Sequence, residues 1–126
     1  HSSSIQDLAV YDWRYPVGGY CDNVQGAGGI LIDADNKGIE STTISNVLVY
    51  WFMGGTGLTM RAQNSGGMAY SNIQNLRIRH GLEGIRLSAD ATSFVNSNSF
   101  VGGAISGGIT DVALIAEGPG ACNDNK

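Results

Sequence analysis

The segment Gly29-Ile30-Leu31-Ile32-Asp33-Ala34 sets the pattern of this 126-residue chain, because it returns three times at nearly constant spacing. The later copies are Gly57-Leu58-Thr59-Met60-Arg61-Ala62, Gly84-Ile85-Arg86-Leu87-Ser88-Ala89 and, more loosely, Asp111-Val112-Ala113-Leu114-Ile115-Ala116. Each copy starts about 27 residues after the previous one. Self-similarity at a fixed period indicates a repeat architecture.

A second element runs in phase with the first and strengthens the repeat. Its copies begin at Ile44, Ile73 and Phe100, so they follow one another at nearly the same spacing as the first element. An earlier copy, Ile5-Gln6-Asp7-Leu8-Ala9-Val10, matches Ile73-Gln74-Asn75-Leu76-Arg77-Ile78 position for position. The chain therefore repeats a unit of about 27 residues that holds at least two related elements.

Both elements alternate apolar and variable residues, which is typical of half-buried β-strands. Glycine pairs at residues 54–55, 66–67 and 107–108, with clusters of Asn and Ser, supply the backbone freedom that tight turns require. A repeat with two or three short strands predicts an all-β parallel solenoid in which equivalent strands pair with their own copies. An antiparallel β-sandwich is the competing all-β interpretation.

The repeat resembles the right-handed parallel β-helix of pectate-lyase-like proteins, and within them bacteriophage tailspike and tail-fibre proteins. The residues that carry the resemblance are Ser71-Asn72-Ile73-Gln74-Asn75-Leu76-Arg77-Ile78, Gly84-Ile85-Arg86-Leu87, Asn96-Ser97-Asn98-Ser99-Phe100 and Asn123-Asp124-Asn125. The resemblance implies that the solenoid is right-handed, and the repeat spacing gives it about four turns of about 27 residues each. It also implies a trimeric protein that binds or cleaves carbohydrate.

Domain organisation follows from the same spacing. We expect residues 1–126 to form a single β-helix segment, uncapped at both ends and part of a longer chain. In one repeat, the separation along the sequence from the second element to the next copy of the first element runs from Ile73 to Ile85. The corresponding separation near the amino end, from Ile5 to Ile30, is about twice as long. The extra residues predict a protruding loop over 12–28 that is rich in aromatic and charged groups.

Composition excludes several classes of protein. Seven basic and 11 acidic residues give a net charge of −4, which argues against a nucleic-acid partner. No apolar run reaches the roughly 18 residues of a membrane span. His1 and His80 lack further ligands, so we expect no metal and no cofactor. Cys21 and Cys122 should lie several turns apart, too far for a disulfide.

The outward positions of the sheet formed by the second element include a candidate glycan platform. Tyr11, Tyr50 and Arg79 should stack in one column, with Arg77 beside them and Trp13 in the adjoining loop. Aromatic faces and guanidinium forks suit sugar rings and their hydroxyl or carboxylate groups. A solvated ladder or a subunit contact is the alternative for this column.

Catalytic candidates are weaker. Glycoside hydrolysis commonly uses two carboxyl groups, and the acids in or near the long loop are Asp12, Asp22 and Asp33. We nominate these three as catalytic candidates, although they form no diagnostic motif. For Asp33 a cross-strand charge pair with Arg61 is the simpler interpretation.

Apolar residues at outward positions predict an oligomer interface. These residues are Leu31, Leu48, Trp51, Phe52 and Ile115. An exposed apolar stripe marks a partner surface, and packing as a homotrimer would cover it.

We therefore expect a polysaccharide-binding segment of a phage tailspike-like or tail-fibre-like β-helix, in the virion tail or outside the cell. Depolymerisation of the glycan is left open. One alternative is a secreted pectate-lyase-like enzyme, either a polysaccharide lyase or a glycoside hydrolase. Another is a structural subunit of a rod or filament.

Overall fold

A computed structural model describes residues 3–11, 28–50, 55–80, 83–106, 110–116 and 122–126, with the backbone alone described over 110–116. Fifteen short strands follow one another in these ranges. They are β1 (Ser3–Gln6), β2 (Ala9–Tyr11), β3 (Ile30–Asp35), β4 (Gly38–Glu40), β5 (Thr42–Ser45), β6 (Leu48–Tyr50), β7 (Thr56–Gln63), β8 (Gly67–Ala69), β9 (Asn72–Gln74), β10 (Arg77–Arg79), β11 (Glu83–Ala89), β12 (Phe94–Asn96), β13 (Ser99–Val101), β14 (Ala104–Ser106) and β15 (Thr110–Ala116).

Every fourth strand joins the same sheet. The first sheet contains β1, β5, β9 and β13, and the second contains β2, β6, β10 and β14. The third contains β3, β7, β11 and β15, and the fourth contains β4, β8 and β12. Each strand thus pairs with its counterpart in the neighbouring repeats, and Glu83 pairs with both Thr56 and Thr110.

All strand pairings among the described residues are parallel. The prediction of an all-β protein with parallel sheets is confirmed, and the arrangement is compatible with a parallel β-helix. The antiparallel β-sandwich alternative is wrong for the described strands. Like residues pair with like because the same position in each repeat faces the same environment.

The core consists of inward side chains that stack from one repeat to the next. Ile44 lies beside Ile73, Val49 beside Ile78, and Met60 beside Leu87. These six side chains are at most 2% exposed. Small residues stack as well, since Ala34, Ala62 and Ala89 form one buried column. Burial of these apolar columns is the main force that holds the repeats together.

The second repeated element is two strands separated by a bend, which differs from the single strand that its sequence suggests. Asn46 and Asn75 occupy the bend with φ angles of 54° and 50°, and Asp7 takes the same place with 51°. Asn and Asp tolerate this left-handed conformation better than other side-chain-bearing residues. Gly102 stands at the corresponding place after β13, with φ 68°. The bend directs the two halves of the element into different sheets.

The described repeats hold four strands where two or three were predicted. The additional sheet is made of three-residue strands, each with one inward apolar residue: Ile39, Met68 and Val95. A single inward residue gives too short an alternation to be recognised as a strand.

The predicted loop lies almost wholly outside the described residues, which resume at Gly28. Among the described residues there is no helix long and apolar enough to cross a membrane.

Candidate functional site

The outward face of the second sheet gathers most of the predicted glycan-binding residues. Alternate residues of its three-residue strands point away from the core, which creates two columns along the stacking direction. One column contains Ala9, Leu48, Arg77 and Ala104, and the other contains Tyr11, Tyr50, Arg79 and Ser106. The structure therefore places Tyr11, Tyr50 and Arg79 in one column, with Arg77 beside Arg79 on β10. Trp13 lies outside the described residues.

Three rings form an aromatic cluster on this face. The ring centroids of Tyr11 and Tyr50 are 5.9 Å apart with an interplanar angle of 56°. The ring of His80 meets Tyr50 edge-on, at 5.6 Å and 86°. Tyr11 is 58% exposed, and Tyr50 is half-buried. The cluster has the separations of stabilising aromatic pairs and leaves ring surface accessible to a ligand.

Sequence reasoning did not include His80 in this site. The residue stands at a corner, with φ 59° and its N–H donated to the carbonyl of Ser106. The available signal was its position directly after the outward Arg79. That position fixes where the backbone runs, but not the direction of the imidazole.

A pocket of about 410 Å³ lies beside the cluster. It is lined by Asn46, Val47, Leu48, Tyr50, Asn75, Arg77 and Arg79. Asn75 Nδ2 donates to Asn46 Oδ1 at 2.9 Å, and Asn46 Nδ2 donates to Asp7 Oδ1 at 3.1 Å. The two amides of this ladder thus line the pocket together with a tyrosine ring and two guanidinium groups.

The outward face of the third sheet has a different character, because both of its described arginines are paired with carboxylates of the same sheet. Asp35 on β3 instead accepts a hydrogen bond from Asn64 Nδ2 at 2.8 Å. Arg61 lies directly beside Asp33 in the register and donates from Nε at 3.1 Å and from a terminal nitrogen at 2.5 Å. The hydrogen bond from Arg61 holds the pKa of Asp33 below its usual range, although partial burial opposes this. The predicted charge pair is therefore present.

A second pair on the same face joins Glu83 and Arg86 on β11. Arg86 donates from Nε at 2.6 Å and from a terminal nitrogen at 2.5 Å, and Thr56 Oγ1 donates to the same carboxylate at 2.9 Å. Hydrogen bonding to Arg86 lowers the pKa of Glu83. Both guanidinium groups of the third sheet are thus bound to carboxylates of that sheet.

The catalytic candidates are not brought together within the described residues. Asp33 lies on the third sheet and the platform on the second, while Asp12 and Asp22 lie outside the described residues. A carboxylate held ionised by an arginine is unsuited to the role of a general acid, which must carry a proton. The catalytic assignment of these three acids stays a prediction.

The predicted interface residues lie on two different sheets. Leu31 on β3 is 58% exposed on the third sheet, whereas Leu48 on β6 is half-buried and lines the pocket of the second sheet. Ile115 lies in register with Ser88 on the third sheet, and its side chain is outside the described part of the chain. Trp51 and Phe52 are outside it as well.

A larger cavity of about 460 Å³ is less suited to recognition of a polar ligand. It lies at the end of the apolar columns, against Leu76, Leu87, Phe100 and Ile105 among others. These are core side chains or are packed on the core, and the polar side chains of the lining are those of Asn125 and Lys126. The smaller pocket on the second sheet combines an aromatic ring with two arginines and two amides, so it is the candidate site.

Cys122 packs against the core, and its thiol contacts the carbonyl oxygen of Leu87 at 3.8 Å. Burial raises the pKa of this thiol, which disfavours the reactive thiolate. Cys21 lies outside the described residues, so the prediction about a disulfide stays a prediction. No group of three or more potential metal-ligating side chains forms among the residues that the structure describes.

Comparisons of the chain with protein-family models, with curated proteins and with solved structures find no match.

Proposed function

We propose that this chain binds polysaccharide on the outward face of its second sheet, as a segment of a right-handed parallel β-helix like those of phage tailspike and tail-fibre proteins. The observation that carries the proposal is the Tyr11–Tyr50 pair, with ring centroids 5.9 Å apart, in one column with Arg79. Strands stacked about 4.8 Å apart present these groups at regular intervals along the axis, which suits an extended polymer of rings.

Binding takes precedence over cleavage in this proposal. Asp33 is the catalytic candidate that the structure describes, and its carboxylate is bound by Arg61. The carboxylate of Glu83 on the same sheet is likewise bound by an arginine. The platform itself contains a ring cluster and cations, which are groups that hold a glycan. A protein located in the virion tail or outside the cell would meet polysaccharides with such a surface.

Assembly as a homotrimer belongs to the same proposal. Its support is the resemblance together with Leu31, which is 58% exposed on the third sheet, away from the platform. A trimer contact there would leave the second sheet accessible. Sedimentation equilibrium of the chain and of Leu31→Asp tests this part, because a trimer that uses this face should weaken in the variant, and a monomeric wild-type chain overturns it.

The test of binding is a retention assay on a panel of immobilised bacterial and plant polysaccharides, using the chain, Tyr50→Leu and Tyr11→Ala. Loss of one stacking ring should weaken binding about 3- to 10-fold. Tyr70→Ala is the matched control, because Tyr70 is 67% exposed and lies outside both columns. Equal retention of all four proteins, or no retention on any polysaccharide, overturns the proposal.

The same incubation separates a binder from an enzyme. A binder leaves the length distribution of the soluble polysaccharide unchanged, whereas a lyase or hydrolase shortens it. Size-exclusion chromatography of the products therefore reports on the enzyme alternative without a second protein preparation.

A further inference from the structure

The four described arginines fall into two groups with opposite electrostatic surroundings. Arg61 and Arg86 on the third sheet are each bound by two hydrogen bonds to a carboxylate of the same sheet, Asp33 and Glu83 respectively. These pairs neutralise both arginines, and Asp35 on β3 adds a negative charge to the same sheet. The third sheet therefore offers an external anion little net attraction.

Arg77 and Arg79 on the second sheet are exposed, and neither forms an ion pair within the described part of the chain. They stand two residues apart on β10 and point to the same side, so their Cα atoms are about 6.6 Å apart. Two like charges on neighbouring outward positions of one strand repel each other. Such a pair is stabilised when an anion binds between or across the two guanidinium groups.

The surroundings of this pair are polar but largely neutral. The other residues that line the pocket carry no charge, and they include Asn75, Leu48 and Tyr50. Asp7 is the carboxylate connected to the pocket wall, and it accepts a hydrogen bond from Asn46 at 3.1 Å. The chain as a whole carries a net charge of −4, so the two arginines form a positively charged patch on a negatively charged protein.

The order of residues along the column indicates where an anion would bind. Across the second sheet, Tyr11 lies on β2, Tyr50 on the neighbouring β6, Arg79 on β10 and Ser106 on β14. Beside them, Arg77 has Leu48 on one side and Ala104 on the other. A ligand that lies along the column would meet two aromatic faces, then the cationic strand, then small exposed residues that leave space.

We propose that the polysaccharide is acidic, with a sugar carboxylate bound by Arg77 and Arg79 on β10 while neighbouring rings of the same chain stack on Tyr50 and Tyr11. This inference rests on the proposed function and specifies its class of ligand. A guanidinium group matches the planar carboxylate with two parallel hydrogen bonds, which a neutral hydroxymethyl group cannot reproduce. The carboxylate on the cationic strand therefore supplies the selectivity, and the tyrosines supply affinity for rings of either kind.

The experiment compares each retained polysaccharide with its carboxyl-reduced form, in which every uronic acid becomes the corresponding neutral sugar. The full chain should bind the native polymer at least about 10-fold more tightly than the reduced one. Added salt should weaken binding of the native polymer and leave binding of the reduced polymer unchanged.

Variants identify the responsible side chains. Arg77→Gln combined with Arg79→Gln should bring affinity for the native polymer down to that for the reduced polymer. Arg61→Gln is the matched control, since it removes an arginine that is already paired on the third sheet, and it should bind as the wild type does. Circular dichroism of each variant verifies that the β-structure is intact.

The outcomes separate this inference from the proposed function. Equal binding of the native and reduced polymers, with binding still lost in Tyr50→Leu, overturns the acidic ligand and leaves polysaccharide binding standing. Binding of the acidic polymer that survives loss of both arginines also overturns the inference, as does preference for a sulfated polymer that carboxyl reduction does not affect. Retention on no polysaccharide overturns both.

Discussion

Arg61 on β7 binds both carboxylate oxygens of Asp33, the residue beside it on β3 in the preceding repeat. The contact ties two adjacent repeats together on their outward face. It also explains why the pKa of Asp33 is lowered, because the guanidinium donor stabilises the ionised carboxylate.

The first prediction concerns the pH dependence of this pair. Because the folded-state pKa of Asp33 lies below its unfolded value, the stabilisation is fully present above the unfolded pKa and is lost as pH falls through the folded pKa. A double-mutant cycle with Asp33→Asn and Arg61→Gln should give a coupling energy of about 0.5 kcal/mol near neutral pH. Urea unfolding at about pH 7 and at about pH 2 measures it.

The coupling energy should be smaller at the acidic end, because falling pH protonates Asp33 and removes the charge that Arg61 binds. The Glu83–Arg86 pair on β11 stays intact in all four proteins, so its own titration cancels from the cycle. A coupling energy that is the same at both pH values would contradict the assignment of the interaction to the ionised carboxylate.

The second prediction concerns a buried amide. Asn98 is 1% exposed, its Oδ1 accepts the N–H of Ser71 at 3.0 Å, and its Nδ2 donates to Asn125 Oδ1 at 2.9 Å. Asn98→Ala leaves the buried N–H of Ser71 without that acceptor, and we expect a loss of about 1 to 3 kcal/mol in the free energy of unfolding. Thermal or urea unfolding monitored by circular dichroism provides the measurement.

Asn75→Gly serves as the comparison, because Asn75 is in a similar side-chain ladder on the surface, donating to Asn46 at 2.9 Å, and glycine tolerates its φ angle of 50°. Water can replace that exposed hydrogen bond, so the change should cost less than about 1 kcal/mol. If the two variants lost equal stability, burial would not be the reason for the importance of Asn98.

The residues that lie side by side on adjacent strands could be predicted from two periods in the sequence. The two-residue alternation decides which residues of a strand point outward, and the repeat of about 27 residues decides which of them stack. Together they place Tyr11, Tyr50 and Arg79 in one column and Asp33 beside Arg61, as the register has them. No knowledge of backbone bends is needed for that result.

The bends themselves and the fourth sheet could not be predicted in the same way. Asn46 and Asn75 interrupt an apparently continuous element by adopting a positive φ, and the residue type permits that conformation without requiring it. The strands of the fourth sheet have one inward residue each, so no alternation develops. The contact between His80 and Tyr50 depends on the orientation of a ring, which residue spacing does not specify.

The third prediction concerns the bend between β13 and β14, where Gly103 has a φ angle of 88°. A Cβ atom at this position would overlap the backbone carbonyl oxygen of Leu76. That oxygen also accepts the N–H of Ala104 at 3.0 Å, a hydrogen bond that joins β14 to the preceding repeat. Gly103→Ala should therefore combine backbone strain with displacement of a hydrogen bond, at a cost of at least about 2 kcal/mol.

Gly38→Ala is the control for the general effect of replacing a glycine, because no heavy atom lies within 4 Å of a Cβ at that exposed position on β4. Its free energy of unfolding should stay within about 0.5 kcal/mol of the wild-type value, since a methyl group there meets only solvent. Urea unfolding of both variants separates the two effects. A Gly103→Ala variant as stable as Gly38→Ala would mean that the bend can relax away from Leu76, and the close approach would then not be what requires glycine.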